Sequence, residues 1–181
     1  MYVTARQAAE LLGHAGLSRS AARRLLATGV AGEPVPIAGA RLYERAVIEA
    51  LVRRRRIAPE PEELPELCRQ GVMVARTAAR PDPLEAARGP LRMSLSTRFV
   101  LAHLIDAQGA LPLVVTVSSF VLAGAEVVGG QSAPGGMNRM VLDLQPAGEW
   151  FDTFRDRVFR TPPGNPWLMW GCRLLTPAHR R

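Results

Sequence analysis

Residues 5–12 place Ala8, Ala9, Leu11 and Leu12 on one side of a helix, with Thr4 in front as a cap and Gly13 as a stop. After a short link holding two glycines, 13–17, a second helix runs from the cap Ser18 to Gly29. At about 100° per residue its positions separate into two arcs. Ala21, Ala22, Leu25 and Leu26 form an apolar arc, and Arg19, Ser20, Arg23, Arg24 and Ala27 form the other. Val35-Pro36-Ile37 and Ala40-Arg41-Leu42-Tyr43 flank a turn at Ala38-Gly39 and read as a hairpin. A third helix is expected over 44–54, with Ala46, Val47, Ala50 and Leu51 facing inward.

The pattern changes after Arg56. Residues 57–71 hold three prolines and four glutamates, the mark of a linker or of a short helix packing Leu64, Leu67 and Cys68. The acidic run there is either solvated or folded back on the basic end of the chain. Strands are expected at 72–75 and 91–95, a turn at 80–83, and a loop or helical turn at 85–88. Ser96 or Thr97 caps a helix over 98–108 that stops at Gly109. Residues 111–128 are the most apolar stretch. Pro112, Thr116, Ser118, Ser119 and Glu126, with a β-branched bias, argue for one bent strand or two broken near Ala123-Gly124 rather than a membrane span. A glycine-rich hairpin loop over 129–136 leads to a partner strand at 140–144. An amphipathic helix over 149–159 has Trp150, Phe151, Phe154 and Val158 inside. A stiff loop at 161–166 precedes a last strand at 167–175. The fold class is therefore α+β. Residues 1–56 form a helical unit with a hairpin, 57–71 a connector, 72–175 a small domain of mixed antiparallel sheet plus helices, and 176–181 a mobile tail.

Charge sharpens this division. The chain of 181 residues carries a net +7, and every basic residue apart from histidine is arginine. Residues 1–56 hold ten arginines against four glutamates, while the rest holds thirteen against twelve acids. Nearly all the excess sits in the first unit, where it attracts a polyanion. The same face also fits a solvated surface, or an acidic protein or RNA. The run Arg53-Arg54-Arg55-Arg56 suits a helix C-terminus or phosphate on the flank of a site.

Three features in series resemble one family. Val3 to Gly13 is similar to the opening helix of MerR-type and excisionase-type winged helix-turn-helix domains. Ser18 to Gly29 matches the spacing of their recognition helix, with Arg23 on its arginine, and Gly39-Ala40-Arg41-Leu42-Tyr43 is similar to their wing. The resemblance implies that recognition-helix side chains read bases in the DNA major groove while wing residues hold phosphates. It carries those roles to Arg19, Ser20, Arg23, Arg24, Arg41 and Tyr43. It covers about the first 55 residues and nothing beyond. No long heptad helix and no cysteine loop follow, which argues against a metal-sensing regulator.

No residue set commits to catalysis. His14 lies in a turn, His103 pairs with Asp106 on a helix, and His179 is in the tail. Cys68 and Cys172 are too far apart for a metal motif or a disulfide framework. The glycine-rich stretch lacks the Gly-Lys-Ser/Thr of a phosphate-binding loop. The expectation is a non-enzymatic, cytoplasmic bacterial transcription regulator without metal or cofactor. Its partner is double-stranded DNA, and residues 72–175 serve as a homodimer or protein-partner surface, with no membrane association. An excisionase-like DNA-bending factor and an adaptor that no longer binds DNA are the alternatives.

Overall fold

A computed structural model describes residues 1–57, 64–77, 82–135, 138–162 and 164–172. The first strand, β1 (Tyr2–Thr4), ends in a capping box. Thr4 accepts from the Gln7 backbone N–H at 3.3 Å, and the Gln7 side chain accepts from the Thr4 N–H at 2.9 Å. This starts α1 (Ala5–Gly13). Ser18 accepts from the Ala21 N–H and starts α2 (Arg19–Leu26). β2 (Val35–Ile37) and β3 (Ala40–Glu44) turn through Ala38 and Gly39, both at positive φ, as a two-residue hairpin requires. β1 adds to the outer side of β3, giving an antiparallel sheet ordered β1-β3-β2. Neither β1 nor its pairing was expected from the sequence.

α3 (Arg45–Val52) begins directly at the end of β3. That junction sets the helix phase, so Ile48 and Leu51 face the core, with Val47 half-buried. Ala46 and Ala50, expected inside, are exposed. Burying the larger Ile48 removes more apolar area from water than either alanine would. Ala8, Leu12, Ala22, Leu25, Ile48 and Leu51 close the first core.

The second unit is built on an eight-stranded sheet. Its strands are β4 (Arg56–Ile57), β5 (Val72–Arg76), β6 (Leu91–Arg92), β7 (Leu111–Val117), β8 (Phe120–Ser132), β9 (Arg139–Pro146), β10 (Val158–Phe159) and β11 (Trp167–Trp170). The main path is β11-β5-β7-β8-β10-β4, with β9 also on β8 and β6 on β9. β5 and β7 are parallel, as are β10 and β4; the other pairs are antiparallel. The connection from β5 to β7 carries α4 (Pro83–Arg88) and α5 (Leu95–Gln108). Met73, Ala75, Leu113 and Val115 face Ala87, Leu101 and Leu104 of these helices. Val72, Val74 and Val114, on the other face, pack with Trp150, Phe151, Phe154 and Phe159. Both faces of β7 are covered, so all seven of its residues are buried.

Several elements differ from expectation. The apolar stretch 111–128 does break, but at Ser118-Ser119, where both residues take positive φ. Ala123-Gly124 lies inside β8, which continues through Gly129-Gly130 to Ser132. α5 starts at Leu95 because Ser94, not Ser96 or Thr97, accepts the capping bond from Thr97 N–H. The strand expected over 91–95 is thereby cut to Leu91–Arg92. The helix expected over 149–159 is a 3-10 turn, Glu149–Thr153, followed by β10. Its four inward residues are all buried, but Val158 reaches the core from a strand. The described part of the connector, residues 57 and 64–71, includes a 3-10 turn, Glu66–Cys68, with Leu64 and Cys68 buried against the sheet. The turn expected at 80–83 lies partly and the tail wholly outside the described residues, and of the last strand expected over 167–175 the structure shows Trp167–Trp170.

Cys68 is buried, and burial pushes its thiol up from 9.0 to about 12. Cys68 and Cys172 are not bridged to each other. The unfolded chain gives up the Cys68 proton near its ordinary value while the folded chain keeps it. The thiol's contribution to stability is thus intact below about pH 9 and is lost as pH climbs toward 12. Urea midpoints at pH 8 and pH 10.5 should fall further in the wild type than in Cys68→Val. An equal fall in both proteins would contradict this.

Candidate nucleic-acid interface

The capped α2 leaves one side open. Arg19, Ser20, Arg23 and Arg24 are exposed, as expected, while Ala22, Leu25 and Leu26 are buried against α1 and α3. None of the three guanidiniums has an acid partner among the described residues, whereas Arg6, Arg45, Arg54, Arg88 and Arg155 each pair with a carboxylate. The charge on α2 is therefore available to an external anion. Arg41 is exposed on β3 opposite Pro36 and is likewise without an acid partner among the described residues. Two residues along the strand, Tyr43 shares its side of the sheet. Tyr43 itself is 4 % exposed and packs in the first core opposite Val3. It anchors the hairpin and is removed from the candidate contact set.

The second unit closes on α2 from one flank. Ser118 Oγ, in the β7–β8 turn, donates to Ala21 O at 3.0 Å, and an Arg160 N–H donates to Ala15 O at 3.4 Å. Phe120 and Val158, both from the second unit, complete the core of the first. Arg54 pairs with Asp156 at 2.6 Å, and the Val158 N–H donates to Arg55 O. Desolvation lowers the Arg54 pKa, and Asp156 partly offsets this. The run 53–56 thus joins the two units: Arg53 ends α3, Arg54 and Arg55 make ties, and Arg56 enters β4.

At this junction lies a hollow of about 460 Å³ lined by Arg24, Arg76, Thr77, Thr116, Ser118, Ser119 and Thr161. Arg76 donates through Nε to Thr161 Oγ1 at 3.0 Å and through a terminal nitrogen to Asn165 O at 2.9 Å, and it also reaches Pro162 O. All these acceptors are neutral, so the guanidinium is held in place with its charge uncancelled. Sequence reasoning missed Arg76 and the hydroxyls because they come from three distant segments, and no local pattern links them.

Comparison with protein-family models, with curated proteins and with solved structures finds no match. The chemistry must be read from the chain's own residues. Among the described residues, no group of three or more His, Cys, Asp or Glu is placed to share a metal ion. No helix among them is long and apolar enough to cross a membrane. His14, in the turn after α1, and His103, on α5, are exposed.

Proposed function

We propose that the chain binds double-stranded DNA through a winged helix-turn-helix formed by residues 1–56. α2 is the recognition helix and the β2–β3 hairpin is the wing. The observation that carries this is the exposed side of α2, where Arg19, Arg23 and Arg24 project from one capped helix without acid partners among the described residues. A helix of this width enters the major groove, where arginine takes guanine bidentately or clamps a phosphate. The order of three helices and a β1-β3-β2 sheet with a hairpin after the second helix supports the assignment. Arg41 is then the backbone contact from the wing. A regulator of transcription is the role this best fits. One such unit reads only a few base pairs, so target selection requires a second copy or a partner.

The test is titration of a fluorescent random duplex pool with the full chain across a salt series. With Arg19, Arg23, Arg24 and Arg41 engaging phosphate, the slope of log K against log salt should lie between about −2 and −4. Absence of binding at low salt, or a flat salt response, would sink the proposal.

A further inference from the structure

We infer that the hollow between α2 and the β7–β8 turn binds the phosphate group of a small phosphorylated molecule. Among the described residues its lining contains two guanidiniums and five hydroxyls and no carboxylate. One guanidinium comes from each unit, and neither has an acid partner among the described residues. Guanidinium and hydroxyl donors at one place match the geometry and charge of a phosphate, which offers acceptors only when ionised.

Two hydroxyls there are poorly satisfied. Thr77 Oγ1 is cut off from solvent and has no hydrogen-bond partner among the described residues. Thr116, the buried polar residue of the sheet at 2 % exposure, reaches Ala75 O only at 3.4 Å. Buried polar groups ordinarily find partners, and leaving one unmade is costly. An entering oxyanion supplies acceptors. The volume of about 460 Å³ exceeds what an isolated phosphate needs and falls in the usual range for small-molecule sites. The phosphate would bridge Arg24 on α2 and Arg76 at the end of β5. A bound ligand therefore ties the two units together and takes Arg24 out of the exposed set.

This inference does not depend on duplex binding, because it is tested without DNA. The full chain is titrated with inorganic phosphate and with glycerol phosphate, each against chloride at matched ionic strength and against glycerol. Calorimetry and the thermal midpoint are the readouts. Both phosphates should bind saturably and raise the midpoint. Arg24→Gln and Arg76→Gln should each weaken binding by about tenfold, as expected on losing a charged hydrogen bond. Arg24 is exposed and Ser119 lies in the turn, so Arg24→Gln and Ser119→Ala keep the test valid if Arg76→Gln fails to fold. Binding no better than chloride, or binding that Arg24→Gln and Ser119→Ala leave unchanged, overturns the inference. A third arm separates the sources of phosphate. If free phosphates fail but duplex affinity drops in Arg76→Gln, the hollow serves the DNA backbone and the small-molecule reading is wrong.

Discussion

Phe120→Ala should lower the stability of the whole chain by about 3–5 kcal/mol, measured as a shift in the urea midpoint. Phe120 starts β8 in the second unit, yet its ring is 1 % exposed and belongs to the core of the first, with Ala22 and Leu25 of α2. Removing it costs the transfer energy of a full aromatic ring plus a cavity that the rigid sheet cannot collapse around. Folded domains are stable by only about 5–15 kcal/mol, so such a loss is a large share of the total. The shared core also predicts that both units unfold in one transition. A loss below about 1 kcal/mol, or two separate transitions in the wild type, would show that Phe120 does not couple the units.

Gly124→Ala should cost about 2–3 kcal/mol, near the upper part of the range for overpacked cores. The Phe151 ring lies close against the β8 backbone here, and a Cβ at Gly124 would fall inside contact distance of three ring atoms. Two side chains flank the ring. Trp150 stands edge-on to it at 5.8 Å, and the Arg155 guanidinium covers it at 5.2 Å. Trp150 is itself fixed, since its Nε1–H donates to Glu126 Oε1 at 2.8 Å. Phe151→Leu should relieve part of the clash, so the double variant should be less destabilised than the two single losses added. Strict additivity would mean that the glycine is there for some other reason.

The first unit was legible because its signals are local. Thr4, Ser18 and the Ala38-Gly39 turn each act within three or four residues, and the helical stripes of α1 and α2 pack as the spacing requires. Arg19, Ser20, Arg23, Arg24 and Arg41 are all exposed as expected. Tyr43 is buried rather than exposed, and an aromatic residue at the end of a hairpin satisfies either a surface or a core pattern. Its pairing with Val3 decides the matter, and β1 was not visible in three residues of sequence. The second unit was harder for similar reasons. Two serines at positive φ make an unusual hairpin turn, since asparagine and glycine ordinarily signal one. Ser94, Ser96 and Thr97 each offer a cap, and Ser94 wins by accepting the Thr97 N–H. The segment 149–159 has helical periodicity, but its later residues are drawn into the sheet. The Val158 N–H is taken by Arg55 O and the Phe159 N–H by Ser119 O, about 100 and 40 residues away in the chain. The hollow at the junction depends on the same long-range pairing and so left no mark in any single stretch.

Position, rather than total charge, should govern duplex binding. The side of α2 bearing Arg19 and Arg23 must matter more than equal charge elsewhere. The deciding measurement is fluorescence anisotropy of one labelled duplex with three proteins: the wild type, Arg19→Ala/Arg23→Ala, and Arg6→Ala/Arg92→Ala. Arg6 and Arg92 are exposed and lie outside α2, so the two double variants lose the same charge. The α2 variant should lose at least about tenfold in affinity, while the control should change by less than about threefold. Equal losses in the two variants would mean that the duplex feels only net charge, and the recognition-helix assignment would fall.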